Sequence, residues 1–314
     1  MKGSKVMMNV FLVSGFLGSG KTTLIKHLLN SRIEDIGKTA LIVNEMGSIG
    51  IDGTLLSGRN VDMIEISSGC ICCTLKTDFA DAVQEIHDKV KPDLLIVETT
   101  GIAQPGDILD TLCEPPQDGY SLFRSLITVV DADLFKARDV FGTFYDNQIR
   151  CADILILNKI DLVSSESLRD IRSSLKGINP GASVFQTKYC AIDPLSLFGV
   201  ASEDGKKRQR DHSDHIHSEM GGFQSFSFED ERPLDRKKLD EFLQALPPTL
   251  FRLKGWVRFK DSHAHLDFTA GRYRFSPIDE PRKTALTFIG RNCDETSILA
   301  ALKDCHVNKS LNCL

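Results

Sequence analysis

The chain has 314 residues, of which 41% are hydrophobic and 26% charged, and carries a formal net charge of -5, the balance of an ordinary soluble globular protein. The acidic excess gives no reason to expect nucleic acid or an anionic membrane as a partner, since both need a basic surface. No stretch approaches about 18 consecutive apolar residues, so no transmembrane helix is expected.

The opening MKGSKVMMNVFLVSG runs straight into a glycine-rich motif with no A-x-A-like cleavage site, so it reads as a first buried strand rather than a secretory signal. Short apolar runs then alternate with amphipathic segments up to about residue 190. The runs are Val10–Val13, Ala40–Val43, Met63–Ile66, Leu94–Val97, Leu126–Val130, Ile154–Leu157 and Ser183–Phe185. Thr22–Leu29, Phe79–Val90 and Ser165–Leu175 carry helical patterns. Continuous apolar strands alternating with helices predict an α/β fold, with a mostly parallel sheet flanked by helices. Ligands in such sheets bind at the carboxyl ends of the strands.

This first domain is expected over residues 1–202. Residues 203–220 read as a flexible linker, because Glu203–Glu219 holds one apolar residue, Ile216, and cannot offset its ordering entropy by burial. Residues 221–314 predict a smaller α+β domain. Its expected strands are Phe223–Phe228, Phe251–Phe259, His263–Thr269, Arg272–Phe275 and Ala285–Ile289, with helices at Asp235–Ala245 and Glu295–Cys305.

Residues 15–22 read GFLGSGKT and fit G-x-x-x-x-G-K-[ST] after a predicted strand and before a predicted helix. Gly15, Gly18 and Gly20 permit the backbone angles that turn successive N–H groups toward phosphate oxygens. Ser19, Thr23 and the helix N-terminus complete that cradle. Lys21 is expected on the β- and γ-phosphates and the Thr22 hydroxyl on Mg²⁺. Glu98 closes the strand Leu94–Val97 and is a carboxylate poised near Mg²⁺ through water. Gly101, two residues after Thr99, can turn its N–H toward the γ-phosphate. Glu45 follows the second strand and is a candidate Mg²⁺ ligand or water-positioning group.

Asn158, Lys159 and Asp161 form N-K-x-D at the end of a buried strand. Asp161 can accept from guanine N1–H and the exocyclic amine, whereas against adenine a buried aspartate would stay unpaired. Asn158 would brace the phosphate loop, and the Lys159 stem would cover the ring. GTP is therefore the expected nucleotide.

The chain holds nine cysteines, an odd number without a secretory signal, which points to reduced thiols in the cytoplasm. Cys113, Cys151, Cys190, Cys293, Cys305 and Cys313 are scattered and read as packing residues. Cys70, Cys72 and Cys73 crowd into GCICC, a set of soft thiolates suited to Zn²⁺, Co²⁺ or Cu(I). Two or three thiolates fall short of a closed shell, which suits a metal that must be released. A redox pair or buried packing thiols are the alternatives. His212, His215 and His217 in the linker are either auxiliary metal-capturing imidazoles or part of a plain polar linker. His263 and His265 on a predicted strand are auxiliary ligands or, more simply, solvated histidines.

In sequence order GFLGSGKTTL, NEMGSIGIDG, GCICC, ETTGIAQP and NKID resemble the CobW-type GTPases, relatives of the HypB and UreG metal-insertion GTPases. The second domain is similar to the CobW C-terminal domain through Arg232–Asp235, Leu246-Pro247, Arg252–Val257 and Phe288–Arg291. Two departures stand out: Ser48 replaces a glutamate common in the family, and Gln104 an aspartate. The resemblance implies a slow Mg²⁺-dependent P-loop GTPase that delivers a transition metal, zinc or cobalt, to a client metalloprotein or a cofactor-biosynthesis enzyme. No catalytic arginine or glutamine is assignable, so metal, a homodimer or the client would complete the hydrolytic site. Rival expectations are a metal store or sensor with GTP as a structural ligand, and a redox protein using Cys72 and Cys73.

Overall fold

The computed structural model describes residues 7–31, 37–43, 61–65, 83–101, 105, 121–198 and 223–307. The chain divides into two compact units, Met1–His217 and Ser218–Leu314.

In the first unit seven strands form one sheet: β1 (Met7–Ser14), β2 (Thr39–Val43), β3 (Val61–Glu65), β4 (Leu94–Glu98), β5 (Ser121–Asp131), β6 (Ile154–Asn158) and β7 (Ser183–Gln186). The spatial order is β3-β2-β4-β1-β5-β6-β7, and every pairing is parallel. Alternate residues face opposite layers, as the two-residue strand period demands. Phe11, Val13, Leu41, Ile96, Ile127, Val129 and Ile156 pack with Leu24, Ile25, Leu28 and Leu29 of helix α1 (Lys21–Asn30). Met8, Val10, Leu12, Ile42, Leu95 and Val97 pack on the other face with Val83 and Ile86 of a helical stretch at 83–89. β1, β2 and β4 are thus covered on both sides, and β4 and β6 are buried at all five positions.

The chain first builds one wing (β2, β3, β4), then crosses β1 to build the other (β5, β6, β7). The order therefore reverses at β1, and the segment leaving its carboxyl end opens into the crevice where such sheets bind ligands. Helix α2 (Thr143–Cys151), not singled out in the sequence, packs its Phe144 and Tyr145 against Phe16 of that segment. Helix α3 (Ser165–Ile178) starts on Ser164, whose hydroxyl accepts from the Ser167 N–H at 3.2 Å.

The second unit is a five-stranded antiparallel sheet in the order β11-β10-β9-β12-β8: β8 (Phe223–Asp230), β9 (Leu250–Arg258), β10 (His263–Thr269), β11 (Arg272–Ile278) and β12 (Thr284–Arg291). Its core joins Leu253, Val257, Leu266, Phe268, Leu286 and Phe288 to Leu239, Phe242 and Leu243 of α4 (Arg236–Ala245) and Ile298 and Leu302 of α5 (Glu295–Lys303). Both helices are capped by aspartate: Asp235 accepts from the Lys238 N–H and Asp294 from the Ser297 N–H. Among the described residues no helix is long and apolar enough to cross a membrane.

Gly255 sits inside β9 at φ 147°, and a Cβ there would lie 2.0 Å from the Ala285 carbonyl oxygen. Gly255→Ala should therefore destabilise the second unit by about 2–3 kcal/mol. Urea unfolding followed by the fluorescence of Trp256, the chain's one tryptophan, checks this; an unchanged midpoint would refute it.

Candidate functional site

The site is built from four strand ends on one edge of the parallel sheet. Leaving β1, the chain turns at Gly15 with φ 137°, where a Cβ would stand 2.3 Å from the Val129 carbonyl oxygen. Only glycine allows this approach to β5. Gly18 and Gly20 also take positive φ, at 70° and 117°. Phe16 anchors the loop in an aromatic cluster, its ring centroid 4.3 Å from that of Phe141. Gly20 caps α1 without any side-chain bond, so the leading N–H groups of that helix keep their donors facing the crevice. Ser19 Oγ is buried without a hydrogen-bond partner among the described residues.

Lys21 is buried and folds its ammonium back over the loop, donating to Gly15 O at 2.9 Å and Phe16 O at 3.3 Å. Thr22 Oγ1 donates to Glu98 Oε1 at 2.8 Å. Glu98 is 4% exposed, so a carboxylate and a hydroxyl meet at the mouth of a low-dielectric crevice. Two hard oxygen donors in that setting fit Mg²⁺ better than a soft transition metal. Thr23 occupies the first turn of α1. Gly101 abuts the loop: a Cβ there would lie 2.7 Å from the Leu17 nitrogen, and its carbonyl accepts from Gln148 Nε2 at 3.3 Å.

Asn158 ends β6 with both the nitrogen and the oxygen of its amide engaged. Nδ2 donates to Ser19 O at 2.9 Å, and Oδ1 accepts from Cys190 N at 2.9 Å and Thr187 Oγ1 at 3.2 Å. Lys159 adopts a left-handed backbone, φ 60° and ψ 35°, and Nζ donates to Gly18 O at 2.7 Å. Asp161, expected as a buried acceptor, is exposed. The reason is local: it lies past the strand end, on the 3-10 turn Ile160–Leu162, beyond the neighbours that bury Asn158.

The structure therefore gathers Gly15, Gly18, Ser19, Gly20, Lys21, Thr22, Glu98, Gly101, Asn158 and Lys159 around one loop. Glu45, Cys70, Cys72, Cys73, His212, His215 and His217 lie outside the described residues. Among the described residues no group of three His, Cys, Asp or Glu side chains could hold a metal. His263 and His265 stand on β10 of the second unit, opposite Arg258 and Trp256. Burial, and then the charge of Lys254, holds His265 below its ordinary value.

Sequence reasoning missed two contributors. Asp131, at the end of β5, is buried and pairs with Lys159 Nζ at 2.7 Å. The segment Thr187–Cys190 wraps Asn158, with Tyr189 and Cys190 both at positive φ. Each had a faint signal: a carboxylate closing an apolar run, and polar residues just past the last strand.

Residues 9–186 match the model of the CobW/HypB/UreG nucleotide-binding domain, and residues 223–306 match that of the cobalamin synthesis protein CobW C-terminal domain. The chain belongs to the CobW/HypB/UreG family. Among its CobW-type relatives, the zinc chaperone YjiA of Escherichia coli strain K12 is 29% identical over 317 residues, covering 93% of this chain and 96% of that protein. The zinc-regulated GTPase metalloprotein activator 1 of Dictyostelium discoideum is 29% identical over 283 residues; the match covers 75% of this chain and 59% of that relative's length. The crystal structure of Zn(II)-bound YjiA GTPase from E. coli matches at 26% identity and a TM-score of 0.48, covering 96% of this chain and 99% of that one.

The Cys190 thiol packs beneath the loop, and burial pushes it from its ordinary 9.0 up to about 12. Because the folded value is the higher one, its contribution to stability is complete below pH 9.0 and is lost as pH climbs toward about 12. Unfolding free energies of wild type and Cys190→Ala should accordingly converge across that window. Parallel pH curves would contradict the assignment.

Proposed function

We propose that this chain is a Mg²⁺-dependent GTPase that couples hydrolysis to the binding and delivery of a transition metal to a client metalloprotein or cofactor-biosynthesis enzyme, in the cytoplasm. One observation carries the nucleotide half of this reading: Asn158 of the base-reading strand donates to Ser19 O of the phosphate loop at 2.9 Å. Base recognition and phosphate recognition are thereby one connected surface.

In this reading Lys21 leaves two neutral carbonyls for the β- and γ-phosphate oxygens, a charge-assisted and stronger partner. The donors around Gly18, Ser19 and Gly20 and the start of α1, with Thr23, hold the remaining phosphate oxygens. Thr22 and Glu98, with Glu45, hold Mg²⁺, which supplies neutralisation of charge developing on the phosphates. Glu98 and Glu45 orient the attacking water, and Gly101 reports the γ-phosphate to the segment that follows it. Asp161 reads guanine once the base covers the exposed turn, with Asn158 and the Lys159 stem beside it.

The metal half is supported by the thiolate chemistry of Cys70, Cys72 and Cys73 and by relatives that are named for zinc. Zinc is the favoured cargo and cobalt the next, with His212, His215 and His217 as auxiliary ligands. A homodimer or the client completes the hydrolytic site.

The deciding experiment titrates Zn²⁺ and Co²⁺ against the GTP-bound and GDP-bound protein. Affinities should differ between the two states by about tenfold or more. Lys21→Ala should lower kcat/KM for GTP by about a hundredfold and abolish that difference. Equal metal affinities in both nucleotide states would favour a metal store with GTP as a structural ligand. Separately, Asp161→Asn should cut the preference for GTP over ATP by about tenfold in competition binding. An unchanged ratio would refute the role given to Asp161.

A further inference from the structure

We infer that Asp131 is a positioning residue for the guanine nucleotide: it pins the Lys159 ammonium against Gly18 and so fixes the lysine stem as the shelf on which the base lies. This inference rests on the reading of the chain as a GTPase.

Asp131 closes β5 directly beside Asn158 in the parallel register. Its carboxylate is 1% exposed and committed on both oxygens. Oδ1 accepts from the backbone N–H groups of Asp133 at 3.0 Å and Leu134 at 3.3 Å, which fixes the carboxylate plane. Oδ2 accepts from Lys159 Nζ at 2.7 Å. The same ammonium donates to Gly18 O at 2.7 Å. One cation thus joins β5, the phosphate loop and the N-K-x-D turn.

An exposed pair of this kind would contribute almost nothing, but a buried carboxylate cannot spare its counter-ion. Lys159 also holds a backbone conformation uncommon for a lysine, with φ 60°. The two short bonds at its far end fix where the four-carbon stem runs. A stem held at both ends is an apolar shelf of set position, and a base stacking on it meets no cost of ordering a mobile side chain.

The contrast with Lys21 sharpens the assignment. Both lysines lean on carbonyls of the same loop. Lys21 Nζ hydrogen-bonds Gly15 O and Phe16 O, neutral acceptors that phosphate can outcompete. Lys159 Nζ is tied to a carboxylate, which phosphate does not displace. Asp131 therefore keeps the second cation out of the phosphate site and at the base.

The test is a binding cycle with the full chain. Asp131→Asn keeps an oxygen for the Asp133 and Leu134 N–H groups and removes the charge that holds Lys159. It should raise Kd for GTP and for GDP alike by about tenfold, and raise KM similarly, while kcat at saturating GTP changes by less than about twofold. Lys159→Met keeps the apolar stem without the ammonium and should lose about the same affinity. If Asp131 acts through Lys159, the double variant binds no more weakly than either single one. A merely structural Asp131 would shift the urea midpoint without that split between KM and kcat. Losses that add in the double variant, or Asp131→Asn binding GTP within about twofold of wild type, would overturn the inference. Should Asp131→Asn fail to fold, Lys159→Met decides alone: GTP binding within about twofold of wild type overturns it. A wild-type chain that binds no GTP would sink the GTPase reading itself, which separates the two failures.

Discussion

The site depends on one buried amide. Asn158 offers its N–H to the phosphate loop through Ser19 O and its oxygen to the Thr187–Cys190 segment. That one side chain ties together three stretches of chain that are remote in sequence. A buried hydrogen bond contributes about 1 kcal/mol net, but leaving its partners unsatisfied costs more. Replacing Asn158 would strand a loop carbonyl, a hydroxyl and a backbone N–H together. The close contact at Gly20, where a Cβ would come within 2.6 Å of Asn158 Nδ2, shows how little room the arrangement leaves.

Most of the fold was legible because each layer repeats the same message. Seven apolar runs became the seven parallel strands, and the alternating residues of β1, β2 and β4 divide between α1 on one face and the helix at 83–89 on the other. The phosphate loop was legible because glycine, lysine and threonine at fixed spacing have few other uses together. The meeting of Thr22 with Glu98 followed from the expected strand-end geometry. Asp131 showed in the sequence only as a carboxylate closing an apolar run; its partner is set by which strands become neighbours, and strand adjacency is not a local property. Cys190 was expected as a packing residue and is buried, but its place beneath the loop follows from a positive-φ turn that the sequence does not announce. The exposure of Asp161 was missed because the strand pattern stops at Asn158 and gives no direction to the turn beyond it.

The second unit is organised on different terms. Its antiparallel strands and two aspartate-capped helices enclose a core of their own. Its outward positions on β9, β10 and β11 carry Arg252, Lys254, His265, Arg272 and Arg274, a polar face beside an apolar one. In the first unit the buried Ser19, Lys21, Glu98, Asp131 and Asn158 gather at the carboxyl edge of the sheet. The contrast fits a nucleotide machine in one unit and a separately folded body in the other.

The strand order has a consequence for how the protein is born. β1 lies between β4 and β5, so Met7 pairs with Ser121 although it leaves the ribosome first. The glycine turn that follows β1 lies against Val129, so the backbone at Gly15 has its full setting only once β5 is in place. Closure of so distant a pairing is slow, and the side of β1 that takes β5 waits for it even after β4 has formed on the other. Shielding of that nascent strand, or nucleotide captured late as a template for the loop, would limit its misassembly.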